Sequence, residues 1–189
     1  MSRTFDYKKL NALCREQNKQ VTDKIKLAVP YGYTEIDVLR KFFGLDTGEE
    51  CFGHSLVSVH LPETVTHIHE QVFDFSNVTE INFPSSLTHI GCSAFYTSKL
   101  KKADLSKCTG LTTIPRFCFA LCTSLEEVFL PDNVTEIRES AFSANKYARY
   151  SREGSVHLKK VSIPVGLTEI GQSAFSYNYA LTVYIRLRS

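Results

Sequence analysis

From Leu56 the chain runs LVSVHLPETVTHIHEQVF, and from Val78 it runs VTEINFPSSLTHIGCSAF. The same phrase returns as LKKADLSKCTGLTTIPRFCF from Leu100, LEEVFLPDNVTEIRESAF from Leu125 and LKKVSIPVGLTEIGQSAF from Leu158. The leading residues lie 22, 22, 25 and 33 positions apart. A period of roughly 20–29 residues with apolar side chains at recurrent places marks a solenoid, in which a repeat buries its apolar face only against its neighbours.

Each repeat opens on an alternating segment. In VSVHL, Val57, Val59 and Leu61 are apolar while Ser58 and His60 are polar, the period-two pattern of a half-buried strand. Pro62, Pro84, Pro131 and Pro164 close four of these strands, because proline has no N–H to continue a ladder. A second short extended piece follows, with Ile68, Ile90, Ile114, Ile137 and Ile170 aligned. Five residues after each Ile stands a Phe (Phe73, Phe95, Phe119, Phe142, Phe175), which predicts one buried aromatic column. Upstream, KLAVPYGYTEI from Lys26 carries the same strand, and VLRKFF from Val38 reads as a longer helix. Downstream, LTVYIRL from Leu181 starts a further strand, for seven parallel strands in all. Residues 1–23 read as a helical cap, with Tyr7, Leu10, Leu13 and Cys14 on one face and Thr4 or Asp6 as its N-cap. Residues 24–189 form the solenoid, with an insertion at residues 146–157.

The shared phrase, a strand, a proline and then hTxIxxxAF, resembles the BspA-like class of leucine-rich repeats, over residues 24–187. The repeat from Leu100 departs from it: Ser106 replaces the proline, two residues are added around Cys108, and Pro115 stands where Gly91 and Gly171 occur. The resemblance implies an α/β leucine-rich-repeat solenoid, with the first strands forming a curved, concave parallel sheet and short strands or helical turns on the convex side. It also implies a non-enzymatic scaffold that binds proteins, or a cell-surface adhesin.

Composition agrees with a globular domain. The 189 residues are 43% hydrophobic and 22% charged, with a net charge of +2. No basic stripe points to nucleic acid. Neither a secretory leader nor a run of about 18 apolar residues is present, so no membrane association and a cytoplasmic location are expected. Six cysteines are then thiols. Glycine phosphate loops, nucleophile elbows and HExxH motifs are absent, so no catalytic residue and no cofactor is expected. Asn77-Val-Thr and Asn133-Val-Thr match the glycosylation acceptor but fall inside the repeat consensus.

Two outward columns follow from the strand alternation. Lys26, Ser58, Glu80, Lys102, Glu127, Lys160 and Thr182 form one, whose alternating charges predict a cross-strand salt ladder. Ala28, His60, Asn82, Asp104, Phe129, Ser162 and Tyr184 form the other. There Phe129 faces outward without a structural need, so His60, Asn82, Asp104, Phe129, Ser162 and Tyr184 are the expected partner-binding strip. Tyr147, Arg149, Tyr150 and Arg152 in the insertion extend it, since solenoid insertions often carry function. His67 and His89 occupy one slot in successive repeats, but no third close ligand is evident and no metal site is expected. The last strand has no cap after Leu187, which predicts a homodimer through that edge.

Overall fold

A computed structural model describes residues 3–17, 19–20, 23–37, 55–144 and 158–186. The chain order is β1 (Thr4–Asp6), α1 (Tyr7–Glu16), β2 (Ile25–Ala28), β3 (Glu35–Asp37), β4 (Leu56–His60), β5 (His67–Ile68), β6 (Glu80–Ile81) and β7 (His89–Ile90). It continues with β8 (Lys102–Asp104), β9 (Thr113–Ile114), β10 (Glu127–Phe129), β11 (Glu136–Ile137), β12 (Lys160–Pro164), β13 (Glu169–Ile170) and β14 (Thr182–Arg186). The helix expected from Val38 and the insertion with Tyr147, Arg149, Tyr150 and Arg152 lie outside the described residues.

Even-numbered strands make the first ladder and odd-numbered strands the second, all parallel. Register follows the repeat: Val59 pairs Ile81, and Val128 pairs both Ala103 and Val161. The inward residues Val59, Ala103, Val128 and Val161 are buried, as are Ile36, Ile68, Ile90, Ile114 and Ile137 of the second ladder. The five Phe rings stack in one column. Successive centroids are 5.1, 5.1, 5.5 and 5.2 Å apart, with interplanar angles of 22°, 8°, 2° and 7°. Each stacked pair contributes about 0.5–1.5 kcal/mol beyond its burial.

The segment around each Phe is a turn with a ladder of its own. Gln71, Phe73 and Phe75 donate their N–H groups to the carbonyls of Cys92, Ala94 and Tyr96 in the next repeat, at 2.7–3.0 Å. The pattern recurs from Phe95 to Cys118, Phe119 to Ala141 and Phe142 to Ala174. Residues two before and two after the Phe take positive φ, among them Gln71, Phe75, Ser93, Thr97, Phe117 and Leu121, at 51° to 57°. None is glycine, and each such residue costs on the order of 1 kcal/mol or more. The inter-repeat bonds offset that cost, since alternating handedness aims every second N–H at the neighbour.

The expected single sheet is in fact interrupted. The first ladder divides into β2-β4-β6 and β8-β10-β12-β14, and the second into β1-β3-β5-β7 and β9-β11-β13. Both breaks precede the irregular repeat from Leu100. At the first break Lys101 N–H still reaches Thr79 C=O at 3.3 Å. The Phe stack and the turn ladder run through without interruption. Ser106, in the slot of the missing proline, bonds its own strand instead: its hydroxyl donates to Asp104 Oδ1 at 2.6 Å.

The N-terminus also differs from expectation. Asp6 is the N-cap of α1, its Oδ1 accepting from Lys9 N–H at 3.0 Å, and Leu10 and Cys14 are buried. Thr4, however, belongs to a strand. Phe5 sits opposite Ile36 in β1–β3 pairing, so the segment before the helix extends the second ladder by one strand. An apolar residue between two polar ones here takes the place that Ile holds in later repeats.

Candidate functional site

The first ladder's outward face is where the two columns meet. Cross-strand diagonal neighbours lie within reach of long side chains. That geometry, not direct opposition, decides the contacts seen. Lys102 and Lys160 lean away from Glu127, their register partner, and toward Phe129. The Lys102 ammonium lies 4.7 Å and that of Lys160 5.2 Å from the Phe129 centroid, and Lys160 is also 5.2 Å from the Tyr184 ring. The predicted salt ladder through Glu80 and Glu127 is not formed. Lys102 instead meets Asp104 on its own strand at 3.4 Å. An exposed ion pair contributes about 0–1 kcal/mol, and a cation over an exposed ring a similar amount. Covering an apolar ring with lysine stems then decides the orientation.

Phe129 does face outward, as expected, but the two lysines leave it half-buried. Tyr184 is 51% exposed. His60 and Asp104 are exposed. Burial alone would raise the Asp104 carboxyl, but the Ser106 hydroxyl and the Lys102 ammonium bring it below its ordinary value.

Two predicted binding residues make structural hydrogen bonds, one of them from a buried position. Ser162 is buried, and its hydroxyl oxygen accepts from Leu130 N–H at 3.2 Å. Asn82 clamps Leu61: its Oδ1 accepts from Leu61 N–H at 2.7 Å and its Nδ2 donates to Leu61 C=O at 2.8 Å. Elsewhere in this slot a main-chain carbonyl serves, as where Leu105 N–H meets Phe129 C=O at 2.9 Å. At Asn82 and Ser162 a short polar side chain takes the acceptor role that the carbonyl has there.

Next to the row, the break between β6 and β8 opens a cleft of about 450 Å³, with His60, Glu80, Ile81, Asn82, Lys101 and Lys102 among its walls. The cleft and the two lysines are the parts of the site that column-by-column reading missed. Lysines offset two residues from Phe129 on the flanking strands were the available signal.

The buried cysteines Cys14, Cys108, Cys118 and Cys122 behave as small apolar residues, while Cys92 is exposed. Burial pushes the Cys108 and Cys122 thiols up to about 12 and raises Cys118 as well. The Cys122 thiol donates to Phe95 C=O at 2.9 Å. Cys14, Cys92, Cys108, Cys118 and Cys122 are all free. No helix among the described residues is long and apolar enough to cross a membrane.

The BspA-type leucine-rich repeat model matches residues 46–182 in six copies. The chain belongs to this family. No curated protein matches it. Solved structures share its fold, among them the following two. A leucine-rich repeat protein from Bacteroides ovatus is 25% identical with a TM-score of 0.64, over 84% of this chain and 36% of that one. The leucine-rich repeat protein of T. pallidum is 25% identical with a TM-score of 0.60, over 86% and 70%. The chain thus spans about a third of the Bacteroides ovatus protein. Leucine-rich repeat proteins are generally non-enzymatic scaffolds that bind proteins.

Proposed function

We propose that this chain is a cytoplasmic protein-interaction scaffold that holds its partner on the outward face of the first ladder. The row Lys102, Phe129, Lys160 and Tyr184, beside the β6–β8 cleft, carries this reading. It supplies aromatic surface with cations already arranged over it, and aromatic residues are the usual anchors of protein interfaces. Capture of partner by wild-type, Phe129→Ala and Tyr184→Ala proteins tests it. Each substitution is expected to weaken binding by on the order of 2 kcal/mol, roughly thirtyfold, with little change in melting temperature. Undiminished capture by both folded variants contradicts the reading. Surface labelling of intact cells tests the compartment, and a labelled chain would favour a surface adhesin instead.

A second contact surface is proposed at the last repeat. Ile170, Tyr179, Val183 and Ile185 are 55%, 60%, 47% and 67% exposed there. Ser173, Phe175 and Tyr177 correspond to residues that donate N–H groups onward in earlier repeats, and among the described residues theirs meet no acceptor. Pairing of two β14 edges about a twofold axis would cover this face in a homodimer. Sedimentation of the 189-residue chain across the micromolar range is expected to show a dimer that is lost on deleting residues 184–189. A constant monomer mass over that range excludes it.

A further inference from the structure

The turn around Phe73 buries a carboxyl that the binding row does not use. Asp74 follows Phe73 directly and is only 9% exposed. Later repeats hold Tyr96, Ala120, Ser143 and Ser176 in this slot, so Asp74 is the one acid among the five. Its Oδ1 is buried without a hydrogen-bond partner, as are Ser76 Oγ in the same turn and Thr97 Oγ1 in the next. Among the described residues no Lys, Arg or His bonds to Asp74 or moves its titration. The one titratable group coupled to it is the Cys122 thiol, which burial above all, and to a lesser degree the Asp74 charge, raises to about 12 and so keeps neutral. A charge buried without a counter-ion is costly, and such a group holds a proton instead. Burial accordingly pushes the Asp74 carboxyl from 3.8 up to about 6, against a smaller opposing effect of the Phe75 N–H.

This turn is also lightly fastened. Asp74 N–H reaches Gln71 C=O at 3.3 Å, whereas the equivalent bonds from Tyr96, Ala120, Ser143 and Ser176 measure 3.1, 3.1, 3.2 and 3.1 Å. In later repeats a side chain ties down the carbonyl of the preceding Phe. Cys122 Sγ donates to Phe95 C=O at 2.9 Å, and Asn178 Nδ2 donates to Phe142 C=O at 2.7 Å. Ser98, which holds that slot after Phe73, lies against Cys122 Sγ at 3.4 Å instead. Gln71 and Phe75, on either side, are both left-handed, with φ of 57° and 51°.

We propose that Asp74 makes the Phe73 turn a pH-responsive segment, fastened to the Phe95 turn while the carboxyl is protonated and opened when it ionises. Protonated, the group is neutral and brings a donor to a region whose unpartnered atoms are oxygens. Ionised, it gains by reaching water, and opening also releases the backbone strain at Gln71 and Phe75. The bonds given up are those from Gln71 N–H to Cys92 C=O at 3.0 Å and from Phe75 N–H to Tyr96 C=O at 2.8 Å. An acid titrating higher in the folded chain than in the unfolded one binds its proton more tightly when folded. Its contribution is therefore fully present below about pH 4 and is lost as pH rises to about 6, beyond which the penalty is constant. Over that window the folding equilibrium constant falls by roughly a hundredfold.

Urea unfolding of wild type and Asp74→Asn at pH 4.5, 6 and 7.5 tests the proposal, because other groups titrating in this window act on both proteins alike. At pH 7.5 the Asn protein is expected to be the more stable, with a folding equilibrium constant tens of times larger. At pH 4.5 that advantage should have shrunk by on the order of tenfold or more. Asp74→Ser, carrying the residue found at Ser143 and Ser176, is a second variant expected to show the same pH trend. In the wild type, exchange of the Phe75 amide should quicken between pH 5 and 7 beyond its intrinsic rise, and in Asp74→Asn it should not. An advantage independent of pH, a wild type more stable than both variants at pH 7.5, or a wild-type Asp74 carboxyl resonance titrating below about pH 4.5 overturns the assignment.

Discussion

Replacing Phe119 with alanine is expected to lower the unfolding free energy by about 3–5 kcal/mol, the range for removing a buried aromatic ring. Phe119 is 1% exposed and lies between Phe95 and Phe142, with centroids at 5.1 and 5.5 Å. It also stands just beyond the repeat junction where both strand ladders are interrupted. Continuity there rests on ring stacking and on the turn bonds Phe95 N–H to Cys118 C=O and Phe119 N–H to Ala141 C=O. A loss of this size lowers the melting temperature of a chain of this length by roughly 6–20 °C. Phe175, which is only partly buried and stacks on one ring, should cost distinctly less when changed to alanine. Thermal unfolding of both variants checks the order. Equal losses would mean that the stack does not bridge the break.

Gly91→Ala is the second large effect. A Cβ at Gly91 would lie 2.2 Å from Glu70 N and 2.5 Å from Glu70 Cα. Both are backbone atoms of the preceding repeat, so relief requires β7 to move off β5. Strain of this kind costs about 1–3 kcal/mol and sometimes more. At Gly166, by contrast, an added Cβ meets nothing nearer than Asp132 O at 3.6 Å, and Gly166→Ala is expected to be neutral or slightly stabilising. Urea unfolding separates the two. A Gly91→Ala protein as stable as the wild type would show that the repeats do not pack this closely.

The features legible in the sequence were those that recur. Ile68 and its equivalents, the prolines and the Phe column specify register because each copy repeats the same constraint. Less legible was what happens between copies. The extra residues around Cys108 and the replacement of a proline by Ser106 marked the Leu100 repeat as irregular, but only the structure shows both ladders interrupted before it. Left-handed backbone at Gln71, Ser93 and Phe117 carried no signal, because these are not the Gly or Asn that usually announce it.

The binding face was read in part. Period-two alternation placed Phe129 and Tyr184 outward. It could not show that Asn82 and Ser162 accept from the N–H groups of Leu61 and Leu130, since that depends on side-chain orientation across the strand pair. Nor did opposite charges on adjacent strands predict pairing. Lys102 and Lys160 cover the Phe129 ring because their long stems reach diagonally, and the apolar contact competes on equal terms with an exposed ion pair.

Hydrogen–deuterium exchange of the chain, free and with its captured partner, tests the central claim most directly. The account predicts new protection over β8, β10, β12 and β14, centred on Phe129, with the turns around Phe95 and Phe119 unchanged. Protection confined to those turns or to the second ladder, with β8, β10, β12 and β14 exchanging as in the free chain, would contradict it.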